Sequence, residues 1–554
     1  MPAGMTRPRR AAKEATAGLD RARHGALIFA TGAVTLSLEV LASRIMTPYF
    51  GVSLYIWAGI LSITLGFLAL GYYLGGRLGE RTDAARLESL LLAAPIASST
   101  AIALGCVLYP VVFPLLSGAD LVLGSFTAAT VLLAMPLIAL SAMNPILVTL
   151  ARGRAPGGDG GAGRVFFIST LGSVAGVLVT AFLFIPNLTN FRAVLLLGIL
   201  LAGAAALSAA ASGALPATDR RRLVAAAFLA LVLAGSVLAC QKRYFDFLAG
   251  LAAGSSEFTV RAEYSSIFGD VKVVEIRPRD PALPSQLAYV QDGLVQNLTM
   301  ANGVSLTLYT YILEKLAAAF APAAREALVL GLGAGIVPRA LQRRGLAVSV
   351  VEINADALRA AEGYFGFVPT GMNLRWEDAR TFVRRCREGY AVVVVDLFNG
   401  DGTPDYLLTV EFFRDLRRCL KPGGTVVMNA FFSAREQEPN RRLLATAVAA
   451  FPSVFEFRSG AADGGTSGYN AFVVGASAAR TESELRFDLD DVPGPLMADV
   501  RRTLSSGRLV PPLLLGGADP VTDDHNMFSL LNARTQLDLR RAWVGKLPPH
   551  ILVN

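Results

Sequence analysis

Ala327-Leu-Val-Leu-Gly-Leu-Gly-Ala-Gly335 decides the architecture of the second half of the chain. Four apolar residues run straight into three glycines at alternate positions, which reads as a buried strand ending in a tight turn. Glycines at such a turn let backbone N–H groups approach a ligand closely. Working outward, the alternation continues. Val348-Ser-Val-Val-Glu352 predicts the next strand and 355–364 a helix. A short strand near 373–376 precedes a helix over 379–387. Tyr390-Ala-Val-Val-Val-Val-Asp396 predicts a strand and 409–419 a helix; Thr425-Val-Val-Met-Asn429 a strand and 438–450 a helix. Upstream, short strands are expected at 258–262, 271–276 and 287–290, with an Asp292-Gly293 turn and a helix over 303–320. Val/Leu strands between amphipathic helices predict a parallel sheet covered on both faces, with ligands at the carboxyl ends of its strands.

Those strand ends carry the polar groups. Gly331, Gly333 and Gly335 close the first. Glu352 ends the second, where a carboxylate can accept both hydroxyls of a ribose, although a solvated strand-end acid has the same appearance. Asp378, followed by Ala379, stands after the third, in reach of an adenine amino group. Neither a phosphate-binding Lys nor an Arg for a second ribose phosphate follows the glycines. The set favours a nucleoside such as S-adenosylmethionine over a dinucleotide. Asp396 ends the buried Val392–Val395 run at the cleft, a candidate base or amine anchor.

The first half has another composition. Residues 25–240 hold 18 charges, eleven basic and seven acidic, whereas 241–554 hold 34 of each sign; the overall +8 comes from the first half and its tail. A nucleic-acid partner usually requires a basic domain, and the second half is balanced, so that class is set aside. Seven stretches have the roughly 20 apolar residues that a helix needs to cross hydrocarbon: about 25–43, 54–74, 88–109, 121–149, 165–185, 193–211 and 223–240. Arg and Lys crowd the segments on the N-terminal side, Arg77–Arg86, Arg152–Arg164 and Arg220–Arg222 among them, and are sparse opposite, which places the N-terminus inside. Seven spans then leave the second half outside, against a supply of cytosolic metabolite. A re-entrant piece near Pro110 and Pro114 is one way out of that conflict. Glu39 lies within the first span; an intramembrane carboxylate is a functional hypothesis by default, and pairing with Arg44 is the structural alternative. Cys106, Cys240, Cys386 and Cys419 are scattered without a CxxC, so neither a disulfide framework nor a zinc knuckle is suggested. Three histidines cannot build a three-His metal site in one fold.

These residues resemble the spermidine synthase (polyamine aminopropyltransferase) family, most of all its membrane-fused bacterial members. The resemblance rests on Glu39-Val-Leu-Ala-Ser-Arg44, Gly71-Tyr-Tyr-Leu-Gly-Gly-Arg77 and Ser169-Thr-Leu-Gly-Ser in the first half. In the second it rests on Asp292-Gly-Leu-Val-Gln296, Tyr309, Gly331–Gly335, Val351-Glu352-Ile353, Glu377-Asp378-Ala379, Asp396 and Leu420-Lys-Pro-Gly-Gly424. It implies an α-helical transmembrane bundle plus an α/β part, a methyltransferase-like Rossmann domain preceded by a small β lobe. The expected division is a basic tail over 1–24, a multi-pass domain over 25–240, the β lobe over 241–300, the Rossmann domain over 301–480 and a C-terminal cap over 481–554. By resemblance Gln296, Glu352 and Asp378 bind the nucleoside and Asp396 is the catalytic Asp, acting as a base. The amine end departs from the pattern: Thr310 replaces the His after the motif Tyr309, Ala334 the Asp of the glycine loop, and Asn399 the second Asp of a D-x-x-D pair. Tyr309, Asn399, Asp401 and Tyr406 are the candidate groups for binding the acceptor, with Asp405 beside them, and Thr522-Asp523-Asp524-His525-Asn526 either closes over the cleft or caps a turn.

The expected function is a membrane-bound aminopropyl transfer from decarboxylated S-adenosylmethionine to a small amine, releasing 5′-methylthioadenosine, without metal or nucleic acid and with a homodimer allowed by the family. The alternatives are a methyltransferase or lyase using intact S-adenosylmethionine, and a transporter or sensor with a non-catalytic domain. Donor supply favours a cytoplasmic α/β domain on the inner membrane.

Overall fold

The computed structural model describes residues 7–152, 161–251, 254–398, 400, 402–460, 468–482 and 485–554. The chain divides into two units, Met1–Leu251 with Val553–Asn554, and Ala252–Leu552.

The first unit is helical. Its helices are α1 (Arg7–Phe50), α2 (Leu54–Arg81), α3 (Ala84–Ser117), α4 (Leu121–Arg152), α5 (Ala162–Val179), α6 (Asn190–Ala210), α7 (Ala217–Ala239) and the short α8 (Gln241–Leu251). Among the described residues seven helices are long and apolar enough to cross a membrane; they are α1 to α7, with α5 extended through a π-helical turn at Thr180–Phe184 to Asn187. Asp83 begins α3 by accepting the Arg86 N–H at 3.0 Å. The re-entrant expectation does not hold. α3 runs unbroken through Pro95, Pro110 and Pro114, because neighbouring helices and side chains can satisfy the carbonyls that proline frees in a membrane helix. Small residues bring α1 and α5 together: a Cβ on Gly172 would meet the Phe29 carbonyl oxygen at 2.1 Å, and one on Gly32 the Ser169 oxygen at 2.3 Å. Arg44 Nε donates to Asn190 Oδ1 at 3.3 Å; Glu39, partly exposed on α1, has no hydrogen bond or ion pair among the described residues.

A buried ionic cluster in this unit has no counterpart in the sequence reading. Glu88 on α3 pairs with Arg23 and His24 of α1, the latter at 3.0 Å, and accepts the Ser212 hydroxyl at 3.3 Å. Arg23 also donates to the Ser208 carbonyl at 3.0 Å.

The second unit holds two sheets. β1 (Ser256–Ser266), β2 (Gly269–Pro278), β3 (Gln286–Gln291) and β4 (Leu294–Met300) form an antiparallel meander. Helix α9 (Leu308–Phe320) leads into β5 (Glu326–Leu330), α10 (Ile336–Arg343), β6 (Ala347–Glu352), α11 (Ala355–Tyr364), β7 (Asn373–Trp376), α12 (Ala379–Arg385), β8 (Tyr390–Val395), α13 (Val410–Cys419), β9 (Leu420–Ser433) and α14 (Gln437–Val448). The strands and helices expected from periodicity are thus present, within a few residues. The sheet is mixed, however, and not parallel throughout. β10 (Ser453–Arg458) and β11 (Gly468–Ala476) follow, then α15 (Gly494–Ser505), β12 (Arg508–Leu509) and α16 (Phe528–Val544), and the eight-stranded order is β12-β10-β11-β9-β8-β5-β6-β7. β11 pairs antiparallel with β9, and β10 antiparallel with both β11 and β12. Apolar cores line both faces: Val329, Val350, Val394 and Phe455 on one, Leu328, Val351, Val393 and Phe432 on the other.

Cysteine usage is a second correction. Cys386 and Cys419, 33 residues apart, form a disulfide with Cα atoms 4.9 Å apart. The folding of α12 and α13 onto one face of the sheet brings their ends together, which local spacing does not encode.

Candidate active site

The site is assembled at the carboxyl ends of β5, β6 and β8. β5 and β8 are parallel neighbours, so the turn after Leu330 and the residue after Val395 emerge side by side. Gly331 sits there at φ 97°, and a Cβ on it would lie 2.2 Å from the Asp396 carbonyl oxygen. Only glycine fits, which explains the first glycine of the turn. Gly333, also at positive φ, faces Asn297: a Cβ would stand 3.0 Å from Asn297 Oδ1.

Asp396 is the centre of a polar chain that crosses the unit. Its Oδ1 accepts Asn429 Nδ2 at 3.0 Å, from β9. Asn429 Oδ1 in turn accepts Asn470 Nδ2 at 3.0 Å, from β11. On the other side Tyr309 hydrogen-bonds the Asp396 carboxyl, and the Tyr309 hydroxyl accepts Asn297 Nδ2 at 2.8 Å. Asn297 Oδ1 then accepts the Ala334 N–H at 3.1 Å, returning the chain to the glycine turn. Burial pushes the Asp396 carboxyl up to about 6, against the lowering effect of the Asn429 and Tyr309 hydrogen bonds. The Tyr309 phenol is raised well above its ordinary value by burial and by the Asp396 charge, so it stays a neutral donor. Asn297, Asn429 and Asn470 were not singled out in the sequence. An Asn within a Val-rich strand, as in Thr425-Val-Val-Met-Asn429, was the available signal for one of them.

Removing the Asn429 amide takes away one of the two bonds that hold the Asp396 pKa down. In Asn429→Ala the Asp396 carboxyl is expected to titrate above its wild-type value, and carbon-detected NMR of the side-chain carboxyl checks it; an unchanged midpoint would remove Asn429 from the network.

Glu352 stands at the end of β6 with its two oxygens oriented by backbone: Oε2 accepts the Leu332 N–H and Oε1 the Asn354 N–H, both at 2.8 Å. Burial raises its pKa while these bonds oppose the rise. Asp378 is held by groups of the protein itself. It caps α12, with Oδ1 accepting the Thr381 N–H at 2.8 Å and its hydroxyl at 3.0 Å, and Oδ2 accepts the Tyr406 hydroxyl at 2.7 Å. Ala379, the first residue of that helix, is buried. Gln296 on β4 donates to the Gly400 carbonyl at 2.6 Å and so holds the loop after β8.

That loop is fixed from several directions. Arg380 donates to the Tyr406 carbonyl at 2.7 Å and Asn526 to the Asp405 carbonyl at 2.8 Å. Asp405 accepts the Ser529 N–H at 3.3 Å, and burial raises its pKa. Asp523 pairs with Arg380, and the Thr522–His525 turn closes on itself, with the His525 N–H on the Thr522 carbonyl at 3.2 Å. The segment 522–526 is a turn that clamps the loop. Asn399 and Asp401 lie outside the described residues. Thr310 is buried, its hydroxyl bonded to the Thr307 carbonyl at 2.8 Å and to Ser305 at 3.0 Å, and Ala334 is buried as well; neither presents a negative charge. No group of three or more His, Cys, Asp or Glu side chains able to hold a metal ion occurs among the described residues.

Residues 306–457 match the family model described as a spermine/spermidine synthase domain. Over that stretch the chain is similar to the spermine/spermidine synthase family. It is 32% identical over 122 residues to a polyamine aminopropyltransferase of Vibrio vulnificus, covering 21% of this chain and 41% of that one. It is 34% identical over 145 residues to an N-terminal histidine N-methyltransferase of Emericella nidulans, covering 25% of each. The chain therefore spans less than half the length of these relatives. Among solved structures, a probable spermidine synthase from Corynebacterium glutamicum aligns over 48% of this chain and 97% of its own, at 19% identity and a TM-score of 0.39.

Proposed function

We propose that the α/β unit is an aminopropyltransferase-type enzyme: it moves the aminopropyl group of decarboxylated S-adenosylmethionine to an amine and releases 5′-methylthioadenosine. The observation that carries this reading is Asp396, a carboxyl with its pKa at about 6, held by Tyr309 and Asn429 beside the glycine turn. A base of that pKa suits proton removal from an ammonium near neutral pH.

In this reading the nitrogen lone pair of the acceptor attacks the methylene carbon beside the donor sulfonium. A C–N bond forms, the C–S bond breaks with its electron pair going to sulfur, and the neutral thioether departs. The proton lost by the acceptor nitrogen passes to Asp396. The sulfonium is already a good leaving group, so the protein's task is orientation and proton removal. Glu352 takes the ribose hydroxyls on its remaining lone pairs, with Leu332 and Asn354 N–H groups fixing its plane. Ile353 and Trp376 leave apolar surface exposed near Glu352, Trp376 being its register partner on β7, where a purine ring finds a stacking surface. Asp378 and Ala379 bound the base end, and Gln296 and Tyr406 act through the loop they hold. Asn399 and Asp401 remain candidates for the acceptor end.

Two consequences are measurable. Glu352→Ala should weaken methylthioadenosine binding by about 1–3 kcal/mol, the cost of unmade charged hydrogen bonds; calorimetry with unchanged affinity would take Glu352 out of the site. Putrescine should be a poor acceptor, because Thr310 and Ala334 offer no charge to its ammonium ends. The deciding assay gives the purified full chain both donors and mixed amines and reads products by mass spectrometry. Methylthioadenosine with an aminopropylated amine supports the proposal. S-adenosylhomocysteine would move the assignment to methyl transfer, the reading favoured by the histidine N-methyltransferase relative, and absence of product to a binding domain serving a transporter or sensor.

A further inference from the structure

The Cys386–Cys419 disulfide stands far from the chemistry. Cys386 follows α12 and Cys419 ends α13, where β8 and β9 enter the sheet; there the Gly389 N–H donates to the Cys419 carbonyl and the Glu388 N–H to the Arg418 carbonyl, both at 3.0 Å. Asp396 is at the opposite end of β8, roughly 20 Å away at about 3.3 Å per residue. Cys419 is fully buried and Cys386 packs on the same apolar cluster. A bond so placed staples the floor of the sheet and does not gate the site. Structural disulfides persist in oxidising compartments and are rare in the reducing cytosol.

The helical unit points the same way on separate grounds. Seven helices long enough to span, an odd number, put whatever follows α7 on the side opposite the start of α1. The tail before α1's apolar part and the α2–α3, α4–α5 and α6–α7 connections, with the helix ends beside them, hold fifteen Lys/Arg. The opposite side holds four, Arg44, Arg192, Lys242 and Arg243. This bias assigns the basic side to the cytoplasm.

We infer that the α/β unit works on the non-cytoplasmic face of the membrane, in an oxidising compartment, and draws its nucleoside and amine from that side. The clause on substrates rests on the function proposed above; the sidedness does not. Span parity and the disulfide together outweigh donor supply, which alone favours the cytosol. A sulfonium nucleoside carries a fixed charge and crosses hydrocarbon at high cost, so a carrier step must precede this reaction and deliver the donor outward.

The chain supplies its own reporters. Cys240, after the last residue of α7, is exposed and unpaired, and Cys106 is buried in α3. The full-length protein is expressed in a bacterial host; right-side-out spheroplasts and inverted vesicles are treated with a membrane-impermeant maleimide. A second sample is acid-quenched in cells, alkylated, and the Cys386 and Cys419 peptides are read by mass spectrometry. Labelling of Cys240 in spheroplasts, its protection in inverted vesicles, and recovery of Cys386 joined to Cys419 are expected. In a host lacking its periplasmic thiol oxidase the pair should be recovered as free thiols. Labelling of Cys240 only in inverted vesicles overturns the inference, as do two alkylated free thiols from the quenched oxidase-competent host. Because both arms use the native cysteines, a Cys386→Ser variant that fails to fold costs the test nothing. A correctly oriented protein without product in the donor assay would sink the transferase reading and leave the sidedness standing; cytoplasmic Cys240 with full turnover would do the reverse.

Discussion

Replacing Asp396 by Asn is expected to lower turnover by about 10²–10⁴-fold, the usual loss when a general base is removed, while leaving the fold intact. Asn keeps the shape and an acceptor for Asn429 Nδ2, so the chain from Asn297 to Asn470 can persist without the base. The pH behaviour sharpens the test. The base acts only when ionised, so wild-type turnover should rise with pH through about 6, the value to which burial pushes Asp396. Stability runs in the opposite sense. The folded-state pKa lies above the unfolded value of about 3.9, so the contribution of the neutral carboxyl is fully present below that value and is lost as pH rises through about 6. The introduced amide cannot ionise, and the variant should be at least as stable as wild type above pH 6. Full turnover by Asp396→Asn with the true acceptor would refute the assignment; loss of turnover accompanied by a fall in Tm at pH 7.5 would point to a structural role instead. A rise in stability with loss of rate is the signature of a charge kept buried for chemistry.

The same contrast explains what the sequence could and could not disclose. The strand and helix periods of 327–450, the glycine turn and the seven apolar stretches are local patterns, and each is visible in a window of twenty residues or fewer. Asp396 and Glu352 were legible because they end strands, where a carboxylate has a direction to point. Tyr309 was legible as a motif residue; the asparagines behind Asp396 were not. Asn429 and Asn470 come from β9 and β11, and the latter reaches the network only because β11 pairs antiparallel with β9, bringing Asn470 within hydrogen-bonding reach of Asn429. The antiparallel edge itself was missed for a related reason: Ser453-Val-Phe-Glu-Phe-Arg458 and Gly468–Ala476 lie beyond the β/α repeat and lack the intervening helix that announces a parallel strand. The hydroxyl of Tyr406, a candidate for the acceptor, is bonded to Asp378, a pairing set by the return path of the loop after β8 and not by any local pattern. The disulfide has the same origin, since both cysteines end helices whose common packing surface is a property of the sheet.

In the helical unit the sequence drew attention to Glu39, whereas the structure places the heavier electrostatic stake on Glu88. Glu88→Ala is expected to destabilise that unit by about 3–5 kcal/mol, because it leaves buried positive charge without its partner. Glu88 is 1% exposed and is met by Arg23, His24 and Ser212, joining α1, α3 and the turn after α6 at one end of the bundle. Asp20, 3.3 Å from Arg23, is partly exposed and compensates only in part. Glu88→Gln keeps two hydrogen-bonding positions without the charge and should fall between wild type and Ala. Cys106 is the reporter: buried on the same helix α3, it reacts with a thiol reagent only when the unit opens, so its reactivity against temperature in detergent follows this unit and not the α/β unit. Salt should change the difference little, since buried pairs are screened far less than exposed ones. Methylthioadenosine affinity, a property of the other unit, should be unaltered in both variants. An Ala variant within about 0.5 kcal/mol of wild type, the usual range for surface substitutions, would mean that Arg23 and His24 find other partners and that the cluster does not hold these helices together.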